Sequence, residues 1–220
     1  MLKIRKITLL IVVLGLALVK TSAQSYYEED KRTFYGGLSI GAVFSQLDGD
    51  NFAGYHNIGL TGGGIVYARV APRIAPSLEL LYTQKGAVSN TEKNAINVRV
   101  NDYKVKLNYM EVPVMINYFD KRKSHFGVGL SYSQLINQTE TTTTTPALPA
   151  TYNPDDYPFR KSDINGIASV NLHLLKGFFL NIRYQYSLLS VRDTWYPDLG
   201  RIGAKGQYNN LWSFRVMYLF

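Results

Sequence analysis

The sequence predicts an all-β protein, a single eight-stranded antiparallel up-and-down transmembrane β-barrel. Three observations predict it. The stretch Trp212-Ser213-Phe214-Arg215-Val216-Met217-Tyr218-Leu219-Phe220 carries a large apolar side chain at every second position, and a period of two belongs to strands. Seven upstream segments alternate in the same way. The gaps between the eight are short and long in strict turn, as in barrels with tight turns at one membrane face and longer loops at the other. Only helices and closed barrels satisfy their backbone in lipid, and beyond residue 23 no apolar run is long enough for a spanning helix.

The first element reads as an export signal. Lys3, Arg5 and Lys6 precede an apolar run from Leu9 to Val19, and Thr21-Ser22-Ala23 ends in a small residue. Such a run is too short to span a bilayer and suits a cleaved signal peptide over residues 1–23. Residues 24–32, with Glu28-Glu29-Asp30-Lys31-Arg32, then form a charged periplasmic lead-in, and 33–220 form the barrel. The chain has no cysteine, which excludes disulfides and a lipoprotein anchor. Its formal charge of +8 falls to +4 (20 − 16) once Lys3, Arg5, Lys6 and Lys20 leave with the signal. That is too mild to suggest nucleic acid, which an exported protein would not meet.

The eight strands follow in order. Phe34–Ser45 sets Leu38, Ile40, Ala42 and Phe44 against Gly37, Ser39 and Gly41. Gly59–Val70 is glycine-rich, with Leu60, Val66 and Ala68 opposite Thr61, Tyr67 and Arg69. Ser77–Lys85 opposes Leu78, Leu80 and Tyr82 to Glu79, Thr83 and Lys85. Tyr103–Phe119 is the long fourth strand. Phe126–Ser133, Ile164–Leu174, Phe178–Leu188 and the C-terminal strand complete the set. Most are about nine to twelve residues long, enough for a tilted strand to cross a bilayer. Connections 71–76, 120–124 and 176–177 are short, and 46–57, 86–102, 135–163 and 189–207 are long. An even strand count puts both termini on the short-turn side, the periplasm. The 135–163 stretch contains Thr139, Thr141–Thr145 and four prolines, a composition expected of a weakly ordered surface loop.

The fourth strand breaks its own pattern. Apolar residues occupy odd positions from Tyr103 to Tyr109, then even positions from Val112 to Tyr118. A one-residue slip turns every side chain to the other face. A β-bulge at Met110-Glu111, next to Pro113, would absorb the slip and give the proline a place in a barrel without edges. Lys104, Lys106 and Glu111 would then face the lumen.

At this point the residues resemble a known family. Leu80-Leu81-Tyr82-Thr83-Gln84-Lys85-Gly86 and Leu107-Asn108-Tyr109-Met110-Glu111-Val112-Pro113-Val114 are similar to paired signatures of the PorT-like outer-membrane β-barrels of Bacteroidetes. The resemblance covers essentially the whole chain after the signal. It implies a small eight-stranded barrel and, for some members, association with a secretion and gliding apparatus. It brings no catalytic motif.

The expected lumen face carries Arg69, Glu79, Lys104, Lys106, Glu111, Arg183 and Arg215. In a narrow barrel these charges must pair, because a lone buried charge is costly. The pattern therefore predicts a structural network centred on Glu79 and Glu111, with Arg183 and Arg215 as partners. Eight strands leave room for side chains and not for an aqueous channel, so no open pore is expected. Trp212, Phe214, Val216, Tyr218 and Phe220 would face lipid, and the terminal aromatic resembles the signal by which bacterial barrels are recognised by the insertion machinery. His56, His125 and His173 have no metal-ligand spacing, so neither metal nor cofactor is expected, and no catalytic residue is assigned.

The expected protein is a monomeric barrel in the bacterial outer membrane, with a structural, binding or secretion-accessory role. Its partners would be outer-membrane lipids, including lipopolysaccharide phosphates near Arg160, Lys161, Arg192, Arg201 and Lys205, and secretion or surface proteins. The basic turn Asp120-Lys121-Arg122-Lys123 could meet inner-leaflet phosphates. Two alternatives have different signatures. An outer-membrane enzyme would gather a rim site from residues such as His56, Asp193 and Ser190. A secreted lipocalin-like barrel would turn its apolar faces inward.

Overall fold

The computed structural model describes residues 33–49, 54–89, 93–95, 98–145, 158–192 and 206–220. The expected signal peptide and lead-in lie outside the described residues, as do Asp193, Arg201 and Lys205. The strands are β1 (Phe34–Asp48), β2 (Asn57–Ala68), β3 (Ile74–Ser89), β4 (Lys93–Ala95), β5 (Val98–Phe119), β6 (His125–Thr145), β7 (Ser162–Leu175), β8 (Phe178–Ser187) and β9 (Tyr208–Leu219). All pairings are antiparallel. Each long strand pairs with its chain neighbour, β3 pairs with β5, and β9 returns to β1 to close an eight-stranded barrel. Short β4 only adds a hairpin to the start of β5.

Closure is tight at the ends of the chain. β9 pairs with β1 from Asp48↔Tyr208 to Gly37↔Leu219, and the Phe220 amide donates to the Gly36 carbonyl at 2.9 Å. Short turns sit at this same end. In the two-residue turn between β7 and β8, Lys176 and Gly177 have φ of 25° and 83°, as a type I′ hairpin requires. At Asp120–Ser124 the Lys123 amide donates back to the Asp120 carbonyl at 3.0 Å. We call this the turn end and the opposite one the loop end.

The outer surface is apolar around the barrel. Leu38, Ile40, Leu60, Leu80, Val114, Ile116, Val128 and Val216 are all exposed outward, while many of the inward positions beside them, such as Ser39, Thr61, Glu79, Asn117 and Arg215, are polar and buried. That is the inside-out arrangement of a membrane barrel and the reverse of a lipocalin-like barrel, so the soluble alternative does not describe this fold. Glycine makes room where the lumen is tightest: a Cβ on Gly41 would meet the Phe214 carbonyl at 2.0 Å and Arg215 Cα at 2.5 Å.

Two expectations are corrected. The first is the bulge at Met110, Glu111 and Pro113. β5 keeps one register with β3 throughout, from Ile74↔Tyr118 to Ser89↔Tyr103. Its odd residues point inward along the whole run: Tyr103, Val105, Leu107 and Tyr109, then Glu111, Met115 and Asn117 are all buried. The extra residue lies on the partner strand, where Asn108↔Asn137 is followed by Tyr109↔Leu135 and Ile136 is left over. Pro113 still pairs opposite Ser131 on β6, and the β3 ladder skips from Leu78↔Val114 to Leu81↔Glu111. A proline lacks only its N–H, so the strand loses a local stretch of one ladder and keeps its register.

The apparent change of parity has another cause. Around Val112–Tyr118 the outside is lipid and the inside polar. Around Tyr103–Tyr109 the strand has passed beyond the lipid-facing belt, so Lys104 and Lys106 are exposed outside and the apolar residues pack within. Surroundings inverted, while the strand did not.

The second correction concerns the threonine-rich stretch. Thr141, Thr142 and Thr143 pair with Lys104, Tyr103 and Asp102 and belong to β6, which runs on to Thr145. β-Branched threonine favours an extended, half-exposed strand, so this part is ladder and not loop.

This inversion makes a testable contrast between neighbours. Lys106→Leu should shift unfolding stability in lipid vesicles by no more than about 0.5 kcal/mol, as for an exposed position. Leu107→Lys buries an unpaired ammonium in the loop-end core and should cost several kcal/mol. Equal effects in a urea titration would refute the assigned faces.

Candidate functional site

The lumen is filled in layers. At the turn end Ile65, Tyr67, Ala75, Phe179, Met217 and Leu219 form an apolar plug. His125 lies against it, stacked on Phe119 with centroids 4.1 Å apart, and shares a 3.1 Å hydrogen bond with the Tyr67 hydroxyl. At the loop end a second plug gathers Leu47, Ala87, Tyr103, Val105, Leu107, Tyr109, Phe159 and Val191. Arg192 caps it, with its guanidinium 3.6 Å above the Phe159 ring and paired to Glu140 at 2.5 Å. Between the plugs lie two charged clusters.

The first cluster surrounds Glu79 on β3. Its carboxylate accepts from Arg183 Nη2 on β8 and from Arg215 Nη1 on β9, the latter at 2.9 Å. Arg215 Nε also donates to Asn181 at 2.8 Å. Alternation explains the meeting. Glu79, Arg183 and Arg215 are inward on their strands, and a lumen this narrow brings opposite walls into contact.

Lys85 on β3 anchors the second cluster. Its ammonium lies 2.6 Å from Glu111 on β5, 3.6 Å from Asp163 on β7 and 3.1 Å from Asn165 Oδ1. Glu111 accepts further bonds from Thr83 at 3.0 Å, Ser133 at 2.9 Å and Gln185 at 3.1 Å. Ser187 and Asn209 each donate to Asp163 at 2.9 Å. Glu111 is thus paired on both oxygens, as a buried carboxylate needs, since the cost of removing charges from water is offset only by good geometry and extra hydrogen bonds. Among the described residues, buried Asp163 Oδ1, Arg183 Nε and Nη1, and Arg215 Nη2 have no hydrogen-bond partner. Glu79, Glu111, Lys85 and Arg215 are each no more than 2% exposed, so these layers are shielded from solvent.

The expected network is therefore partly redrawn. Glu79, Glu111, Arg183 and Arg215 are brought into the lumen clusters. Arg69 sits at the turn-end rim and donates to the Tyr35 hydroxyl at 3.3 Å and the Pro72 carbonyl at 3.2 Å. Lys104 and Lys106 are outside the barrel, because β5 keeps its parity. Sequence reasoning passed over Lys85 and Asp163. The first shares the inward parity of Glu79 and Thr83; the second fell in a stretch read as loop. Trp212, Phe214, Val216, Tyr218 and Phe220 all face outward and are exposed.

The hydroxyls that meet carboxylates here, Thr83 and Ser133 on Glu111 and Ser187 on Asp163, are all buried in the lumen. Among the described residues no group of three or more His, Cys, Asp or Glu could hold a metal ion. Of the rim candidates, His56 and Ser190 lie at the loop end on separate segments. The arrangement supplies cross-links through the lumen, joining β3 to β8 and β9 in one layer and to β7, as well as to its ladder neighbour β5, in the next.

Comparison with known proteins places these features in context. Residues 23–193 match the family model described as outer membrane protein beta-barrel domain. Among curated proteins none matches the sequence significantly. Solved structures similar to this chain include Ail, the attachment invasion locus protein of Yersinia pestis, at 10% identity and a TM-score of 0.45, covering 86% of this chain and 100% of that one. Neisserial surface protein A is similar at 12% identity and a TM-score of 0.47, covering 87% and 100%. The outer membrane protein OprG of Pseudomonas aeruginosa is similar at 12% identity and a TM-score of 0.39, covering 85% and 94%.

The two clusters differ in redundancy, which sets a stability test. Glu79→Gln leaves Arg183 and Arg215 without their shared anion and should cost about 3–5 kcal/mol. Glu111→Gln leaves Lys85 with Asp163 and Asn165 and should cost less, about 1–3 kcal/mol. Urea midpoints of the folded, heat-stable band check the order; a reversed order would refute the assigned pairing.

Proposed function

The chain belongs to the outer membrane protein β-barrel family, and from that premise we propose a sealed barrel of the bacterial outer membrane that acts through its two ends and not through its lumen. One observation carries this reading: both charged clusters are buried between apolar plugs, with Glu79, Glu111, Lys85 and Arg215 each no more than 2% exposed. The role is structural, binding or secretion-accessory, without catalysis. Within the family, the motifs 80–86 and 107–114 favour the PorT-like branch of Bacteroidetes.

Both termini and the tight turns lie in the periplasm in this reading, and the loop end lies outside. The signal-like stretch 1–23 and the contrast of loop lengths support that orientation. The loop end is built to stand clear of the bilayer: β5 and β6 run for 22 and 21 residues, with polar faces outward and an apolar interior past the lipid belt. A rigid, water-facing extension suits contact with a surface or secreted protein. Arg160 and Lys161 are exposed there, where lipopolysaccharide phosphates are neighbours. The outward aromatic face of β9 suits recognition by the insertion machinery, and the apolar belt suits a monomer surrounded by lipid.

Two measurements test this. Protein purified into planar bilayers should add no conductance steps above the lipid baseline; stable openings would overturn the sealed lumen. Cross-linking from the exposed face of β5–β6, for example through Lys104 and Lys106, should capture a discrete protein in native membranes. Capture of lipids alone would favour a purely structural role.

A further inference from the structure

The turn end carries a charge pattern that the sealed barrel does not require. Its three connections hold Arg73, Lys121, Arg122, Lys123 and Lys176, against Asp120 alone in the same turns. Arg73, Lys121, Arg122 and Lys176 are exposed and Lys123 is half-buried. The turns join β2 to β3, β5 to β6 and β7 to β8, so cations are distributed around the rim, and the start of β1 and Phe220 occupy the remaining gap. The loop end is mixed by contrast: Lys104, Lys106, Arg160 and Lys161 stand among Asp102 and Glu140.

Backbone geometry supplies an independent observation. Among the described residues only two non-glycine residues have positive φ, and both are lysines of these turns: Lys123 at 67° and Lys176 at 25°. Glycine or asparagine fits such positions with less strain. A residue held against its backbone preference points to a use for its side chain. Here the side chain that is kept is a cation, twice.

Immediately toward the membrane lies an aromatic band. Tyr118, Phe126, Phe178, Tyr218 and Phe220 all face outward and are exposed. Tyr118 and Phe126 lie 5.5 Å apart, and Phe178 and Tyr218 lie 4.8 Å apart, between ring centroids. Arg73 Nη1 donates to the Tyr118 hydroxyl at 3.1 Å, which ties the cationic rim to the aromatic band. Aromatic rings of this kind settle at the headgroup level of a bilayer, so the cations fall at phosphate depth.

We propose that the turn end is a collar for the phosphate headgroups of anionic phospholipid. The rim's basic side chains draw the headgroups and the aromatic band sets their depth. Its assignment to the periplasmic leaflet rests on the orientation proposed above; the phosphate chemistry does not. An acidic protein is the competing occupant, but it would not account for cations spread over all three turns at the level of the lipid belt.

The test uses protein purified from membranes into nanodiscs of phosphatidylcholine with phosphatidylglycerol. Spin-labelled lipids report the relative association of each headgroup. The wild type should prefer phosphatidylglycerol by at least about threefold, with the preference falling at high salt. The variant Arg73→Gln, Lys121→Gln, Arg122→Gln, Lys123→Asn, Lys176→Asn should show a ratio near one while keeping heat-stable gel mobility. Asparagine tolerates positive φ, so folding is retained. If that variant fails to fold, Lys121→Gln with Arg122→Gln alone should still lower the ratio. Equal association in the wild type would overturn the proposal and leave the rim to an acidic protein; so would a preference unchanged in the variants. Both nanodisc leaflets have the same composition, so orientation does not enter the result. Labelling of Lys121→Cys in intact cells tests orientation separately.

Discussion

The backbone of this chain has to satisfy its hydrogen bonds within lipid, and the remaining features follow from that constraint. A sheet with a free edge would leave a row of N–H and C=O groups in hydrocarbon, each costing several kcal/mol. The ladder between β9 and β1 removes that edge. Closing eight strands then fixes a lumen wide enough only for side chains. Glu79, Glu111 and Lys85, placed inward by the strand period, have no water to turn to and must meet opposite charges across the barrel. The ion pairs are thus a consequence of closure, and they also reinforce it, because those to Arg183, Arg215 and Asp163 tie β3 to walls that are not its ladder neighbours.

Much of this is readable in one dimension. A strand repeats every two residues, so inward and outward sets could be listed for β1, β3, β8 and β9 without coordinates, and Glu79, Arg183 and Arg215 emerged from those lists. Which inward residues meet is another matter. Contact across the lumen depends on how each strand is offset from the next around the barrel, and offsets accumulate over several ladders. Lys85 carried the right parity but no visible partner, because Asp163 and Glu111 approach it from two other walls. Asp163 was hidden further by its place at the start of β7, beside a proline- and threonine-rich stretch.

β5 shows a different limit. Its periodicity implies a slip of the strand only if the surroundings stay the same along its length. The strand in fact crosses a boundary. In lipid the apolar side chains belong outside; beyond lipid they belong inside, as in any water-soluble sheet. At that boundary the apolar parity must invert even though the backbone is regular. The same physics explains Thr139–Thr145: residues too polar for the lipid belt and too rich in β-branching for a loop suit the water-facing outside of an extended hairpin. An inversion of parity without a break in strand composition marks where a membrane strand leaves the bilayer.

The charges inside also bear on where function can reside. Glu79 with Arg183 and Arg215 carries a surplus positive charge, and Lys85 with Glu111 and Asp163 a surplus negative one. Gln185 donates to Glu111 from the residue pair of β8 that also presents Arg183, so the opposed surpluses sit in adjoining layers and offset each other. Removing either cluster would leave the other's surplus uncompensated in a medium of low dielectric, where it interacts far more strongly than in water. A lumen held this way resists opening, since a conducting state would have to break both clusters together. The surfaces left for contact lie outside the lumen: the extended β5–β6 wall at one end and the cationic rim at the other. These differ in charge, polarity and reach, which lets one rigid barrel meet two unlike environments at once.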